Sequence, residues 1–194
     1  MKKGEKTKRK ILEQGLRLFS SQGYEETALK DIALQVNIKT PSIYAYFESK
    51  QDLFEQIISF VIEDYLEFIE RQSHVIKNFH TEKKLYHVLV ELNKYYYMND
   101  KGFFLKRYGI YPPENFKELI TAKNKKVEKG IRDLVLSILK NDTENKLIDE
   151  EIIVTSFITI LDGMLYHMMS SPYKEYELKL NHTWSVFWQG IRAF

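Results

Sequence analysis

The chain has 194 residues, with 29 Lys and Arg against 27 Asp and Glu, a formal net charge of +2. It has no Cys, which excludes disulfides and thiolate chemistry. No signal peptide is evident, so a cytoplasmic setting is expected, and the longest apolar run, Ile152 to Leu161, falls short of the ~20 residues a membrane span needs.

Charge is unevenly placed. Residues 1–50 carry ten Lys and Arg against six Asp and Glu, and residues 51–194 carry 19 against 21. Lys2, Lys3, Lys6, Lys8, Arg9 and Lys10 form a basic N-terminal arm suited to phosphate or minor-groove contact. Ile11, Gly15 and Phe19, spaced by four, predict the first helix.

The stretch from Thr27 to Lys50 is the most specific. Leu29, Ile32, Ala33 and Val36 fall at i, i+3, i+4 and i+7, one apolar stripe on a helix. Thr27 is the expected N-cap, next to Ala28, and Asn37 the expected left-handed C-terminal residue. Thr40 as N-cap and Pro41 at the first position restart a helix. Ile43 and Phe47 face the preceding helix. Ser49-Lys50-Gln51-Asp52 has the form of a capping box that opens the next one. Helix, three-residue turn, helix is a helix-turn-helix.

Downstream, Phe54, Ile57, Ile58, Val61, Ile62, Tyr65, Phe68 and Ile69 predict a long helix ending near Arg71. Leu85 to Tyr96 predict another, and a short one follows Gly102. Pro112-Pro113 starts a long helix that Asn141-Asp142 ends near Leu139. A helix from about Asp149 to Ser170 is separated by Ser171-Pro172 from a last one ending at Phe194. The fold class is therefore all-α, about nine helices with no convincing strand and no repeat. A three-helix domain, residues 1–50 (motif about 28–47, module reaching to about 64), precedes a larger helical domain, residues 51–194.

On the second helix of the pair, Pro41, Ser42 and Ala45 project outward with Tyr44 and Tyr46 on the flanks. That face carries no acidic residue. Tyr and Ser hydroxyls with Lys39 and Lys50 can reach phosphates, and Ser42 and Ala45 can touch base edges. The candidate DNA-binding residues are thus Thr27, Ala28, Lys39, Thr40, Pro41, Ser42, Tyr44, Ala45, Tyr46 and Lys50. The alternative is a helical homodimer that works mainly in protein–protein assembly, with this unit as a docking face.

The run from Asp31-Ile32-Ala33 through Ser42-Ile43-Tyr44, Tyr46-Phe47 and Ser49-Lys50 to Asp52-Leu53 resembles the DNA-binding domain of TetR-family transcriptional regulators. Ile11, Gly15, Phe19, Gly23-Tyr24 and Thr27 fit the same pattern, over about 60 residues. Asn37 and Pro41 stand where Gly is frequent, and Ala45 where His is frequent. The resemblance implies a double-stranded DNA operator, a homodimer formed by the last two helices, and a small-molecule effector held in the C-terminal part. The expected action is repression by occupying a near-palindromic operator.

Two residue sets carry the remaining expectations. The last two helices are apolar on more than one side, which calls for a second partner; Phe157, Leu161, Met164, Met168, Trp184, Phe187, Trp188 and Ile191 are the candidate dimer residues. Of 12 Phe, 13 Tyr and 2 Trp, only five lie in residues 1–50. Among the rest, Tyr65, Phe68, Tyr96, Phe103, Phe104, Tyr108, Tyr111, Phe116 and Tyr166 are the candidate pocket for an apolar or aromatic effector. His74, His80, His87, His167 and His182 have no metal-ligand spacing, and no phosphate loop or nucleophile motif occurs, so neither cofactor, metal nor enzymatic activity is expected.

Overall fold

A computed structural model describes residues 3–109, 111–140 and 149–192. Lys2 of the basic arm, the Asn141-Asp142 helix stop and the Phe194 terminus lie outside the described residues. The described residues are helical, with no strand: α1 (Lys3–Gln22), α2 (Leu29–Val36), the 3-10 helix η1 (Thr40–Ala45), α3 (Lys50–Val75), α4 (Thr81–Met98), α5 (Asp100–Tyr108), a single 3-10 turn at Glu114–Phe116, α6 (Lys117–Lys140), α7 (Glu150–Ser170) and α8 (Tyr173–Arg192). Eight α-helices and η1 make up the nine helices of the sequence reading. The described basic residues before Ile11 are part of α1: Lys3, Lys6 and Lys10 are exposed on it, while Lys8 lies 5.3 Å over the Phe47 ring.

Two compact units emerge, and they divide otherwise than at residue 50. The first comprises the residues up to Asp64 together with Met98–Asn124; the second comprises Tyr65–Tyr97 and the residues from Lys125 onward. All three boundaries fall within helices, in α3, at the end of α4 and in α6, and leave the backbone continuous.

The first unit is organised around Phe54, which is fully buried. Phe19, Tyr24, Phe104, Tyr108 and Phe116 all hold ring centroids 4.6–5.4 Å from it. Such distances suit edge-to-face and tilted packing, which adds to the area each ring buries. The cluster fastens α5 and the 3-10 turn before α6 to α1 and α3. It also holds the Tyr108 hydroxyl in a place where burial raises its pKa to about 12, so it remains a donor.

The second unit has two ring clusters. Tyr65 packs against Tyr95 and Tyr96 at 4.6 and 5.4 Å, and Phe68 against Tyr95 at 5.0 Å. The Tyr65 and Tyr96 hydroxyls bond each other, and burial first of all raises both pKa values, Tyr96 to about 12. On α8, Trp184, Phe187 and Trp188 pack together, and Phe157 of α7 joins them through Phe187. The segment Glu150–Met168 of α7 is long and apolar enough, by length and composition, to cross a bilayer, unlike the shorter run judged from sequence. Ile153, Val154, Phe157, Leu161, Met164 and Met168 on it are buried, about a third of the segment.

Removing the central ring is expected to weaken the first unit severely. Phe54→Ala should cost about 3–5 kcal/mol in denaturant unfolding; a loss under 1 kcal/mol would contradict the central place given to this ring.

Candidate nucleic-acid interface

Helix α2 forms as the stripe predicts, with Ile32 and Ala33 buried. It stops at Asn37, whose φ of 58° and ψ of 47° are left-handed. The short polar side chain of Asn tolerates that conformation. The chain then runs extended through Lys39 into η1.

That helix is tighter than the α-helix assumed from sequence. Ser42 N–H donates to Lys39 O at 2.8 Å and Tyr46 N–H to Ile43 O at 2.8 Å, both i to i+3 bonds. Three residues per turn eclipse i and i+3. Thr40, Ile43 and Tyr46 therefore share the inner edge, fully or partly buried, and Pro41, Ser42, Tyr44 and Ala45 are all exposed. Tyr44 presents 58% of its surface. The small outward face is thus in place, with Tyr44 on it and Tyr46 turned off it. The N-cap is Lys39, one residue before the expected Thr40, and Pro41 sits at the second helical position. Lys39 is exposed beside the face, and Lys30 is exposed on α2.

Two expected DNA-binding residues are placed elsewhere. Thr27 is buried, and its hydroxyl donates to Gly23 O at 2.7 Å; Ala28 holds the N-cap position of α2 without a side-chain bond. The expected cap at Thr27 is corrected because the hydroxyl is spent on the preceding turn. Lys50 does not extend outward either. Its ammonium donates to the carbonyls of Tyr24, Glu25 and Thr27 at 2.8, 3.2 and 3.1 Å, and lies 4.4 Å over the Tyr24 ring. An ammonium has three donors, and all three are used on the α1–α2 connection. Its part is to hold that connection in shape. The capping box is present: Ser49 Oγ accepts from Asp52 N–H at 3.0 Å, and the Asp52 carboxylate accepts from Glu48 N–H at 2.8 Å.

The expected pocket residues separate into three groups. Phe104, Tyr108 and Phe116 belong to the ring cluster around Phe54. The space beside Phe104 and Tyr108 is about 10 Å³, room for one water. Tyr65, Phe68 and Tyr96 form the ring cluster of the second unit. Phe103, Tyr111 and Tyr166 are exposed, Tyr111 by 86%.

The expected dimer residues are all buried inside the single chain, at 0–8% exposure. They form the seam of α7 and α8 within one protomer. The outer stripe consists instead of Ile152, Thr159, Gly163 and Tyr166 on α7, and Thr183, Val186 and Gly190 on α8. An open groove of about 410 Å³ lies there, lined by Ile160, His182, Thr183, Val186 and Phe187. Val186 is 74% exposed. Counting apolar positions on every side of these helices did not distinguish the inner seam from the outer stripe.

Residues 11–57 match the profile of the family described as bacterial regulatory proteins, tetR family. Over 84 residues the chain is 39% identical to the biofilm operon icaADBC HTH-type negative transcriptional regulator IcaR of Staphylococcus aureus (strain Newman), a match covering 43% of this chain and 44% of that relative. The match thus spans less than half the relative's length. Among solved structures, a TetR-family regulator from Mesorhizobium loti MAFF303099 aligns with a TM-score of 0.77 at 18% identity, over 96% of this chain and 97% of that one. FadR from Bacillus subtilis, in complex with stearoyl-CoA, aligns with a TM-score of 0.68 at 15% identity, over 92% and 96%. At such identities the likeness establishes the fold.

The Lys50 bonds generate a stability prediction. Lys50→Met keeps the apolar stem and strips donors from two half-buried carbonyls and one exposed one, so it should cost about 1–3 kcal/mol in thermal or denaturant unfolding. Tyr44→Ala, on the exposed face, should stay within about 0.5 kcal/mol of the parent. Equal stability losses in the two variants would sink this division of roles.

Proposed function

We propose, from the premise that this chain is a TetR-family transcriptional regulator, that it acts as a homodimeric repressor on a near-palindromic DNA operator in the cytoplasm and releases it on binding a small effector. The carrying observation is η1, whose outward face is small, uncharged and exposed, with Lys39 and Tyr44 at hand. Small groups let the backbone come close to the groove, while the Lys39 ammonium and Tyr44 hydroxyl reach phosphates. Exposed Lys3, Lys6 and Lys10 on α1, and Lys30 on α2, add positive charge on the same unit. Repression is supported by the negative regulator that matches 84 residues of this chain.

Dimerisation is assigned to the outer stripe of α7 and α8. A glycine within a helix costs about 1 kcal/mol relative to Ala. Gly163 and Gly190 sit within these helices, and a Cβ at either would meet nothing within 4 Å in the same chain. Their small size serves a close approach by a second copy's helices, around Ile152, Val186 and the groove beside it. Two reading heads joined in this way would meet half-sites about one DNA turn apart, ~34–36 Å, or a multiple of it. The effector is assigned to the second unit, near Tyr65, Phe68 and Tyr96, where paired hydroxyls lie among rings. The fold likeness to a regulator solved with stearoyl-CoA supports ligand response in general terms. An effector shifts the equilibrium only as far as it prefers one state over the other.

Selection of bound duplexes from a random pool is the direct test, and it should return a two-fold symmetric site. Failure to enrich any sequence would end the proposal. On the selected site, Tyr44→Ala and Lys39→Ala should weaken binding while the protein stays dimeric, and Lys39→Ala should lower the salt slope by about one. Val186→Glu should yield monomers in light scattering, with helical content retained and operator binding lost. A dimeric Val186→Glu protein would remove the outer stripe as the interface.

A further inference from the structure

Helix α1 ends in an unusual way. Its last-turn carbonyls have no partners within the helix, as at any C-terminus. Here they are closed from residues more than 80 positions away. The Arg107 guanidinium of α5 donates to Ser20 O, Ser21 O and Gln22 O at 3.1, 3.2 and 3.2 Å. The Tyr108 hydroxyl donates to Phe19 O at 2.9 Å, and Gly23 N–H reaches the same oxygen at 3.0 Å. A cation at a helix C-terminus also suits the helix dipole. Gly23 fits this closure twice over. Its φ is +101°, and a Cβ there would lie 2.7 Å from Arg107 Nη2. The ion pair Arg17–Asp100 joins the same two helices, and Lys101–Asp64 ties α5 to α3.

Connectivity gives the closure its consequence. The chain passes between the two compact units three times: within α3, at the last residue of α4, and within α6. The segment Met98–Asn124 belongs with the reading head, and α5 follows α4 through Asn99 alone. Through this segment, two of the three passages reach α1. Without the Arg107 and Tyr108 bonds, the last turn of α1, which leads into α2 and η1, is held to α5 only by the Arg17–Asp100 ion pair and the ring packing around Phe54.

We propose that Arg107 and Tyr108 are positioning residues for DNA recognition: they fix the reading head on α5, and so set how strictly the dimer measures the distance between half-sites. They touch no DNA. This rests on the operator-binding reading above. It predicts an effect on spacing tolerance, which a loss of module stability alone would not produce.

The test uses the full-length protein and half-sites from the pool selection, placed at spacings that differ by single base pairs. The parent should bind one spacing best and its neighbours far more weakly. Arg107→Met should shrink that preference by about tenfold, a coupling of ordinary size. Arg107→Lys keeps the charge but not the fork that spans three carbonyls, and should fall between. Tyr108→Phe removes one bond and should give the smallest change; these two variants carry the test if Arg107→Met does not fold. Hydrogen exchange at Gly23, and at neighbouring amides of the last turn of α1, should quicken in the same order. A spacing preference unchanged in all variants, even with uniformly lower affinity, would overturn the inference and leave the operator-binding reading standing. A parent protein without sequence preference would overturn both.

Discussion

The carbonyls between Phe19 and Thr27 are the constraint on which the reading head depends. Helix α1 ends there, α2 has not begun, and no regular structure satisfies the backbone. Helix-end carbonyls without intrahelical partners are met by side chains or by water. Two cations from opposite ends of the first unit meet the demand. Arg107 closes the α1 side, on Ser20, Ser21 and Gln22. Lys50 closes the α2 side, on Tyr24, Glu25 and Thr27. Between them Tyr24 serves as a hub, taking Lys50 over its ring and packing against Phe54 and Phe116. The orientation of α2 and η1 follows from how this short connection is held.

Local patterns in the chain were informative where the physics is local. Asn37 reads as a left-handed stop from its residue type, and it is one. Ile43 and Phe47 read as inward from their spacing, and both are buried. Ser49 and Asp52 read as a cap, and their bonds exist. Each of these depends on residues fewer than five apart.

Where partners are distant, the pattern misled or was silent. Lys50 beside a DNA-reading helix suggests a phosphate contact, and only the fold shows its donors engaged with carbonyls 23 to 26 positions back. Thr27 has a cap-forming side chain, but a nearer acceptor at Gly23 takes it. The 3-10 geometry of η1 rotates Tyr46 inward, which a period of 3.6 does not foresee. Arg107 has no local signature at all. The apolar positions of α7 and α8 were legible as a helix pair, and those singled out on them for the dimer lie on the inner face, while the exposed face is mostly polar with Ile152, Tyr166 and Val186 among its large apolar members.

The closure at Gly23 also imposes a direction on how this chain can vary. Two separate demands fall on that position, one from the backbone dihedral and one from the guanidinium of Arg107. Truncating Arg107 lifts the second and leaves the first. Replacing Gly23 violates both at once. The backbone therefore asks for glycine whatever stands at position 107, whereas the guanidinium must shift if any side chain is placed at position 23.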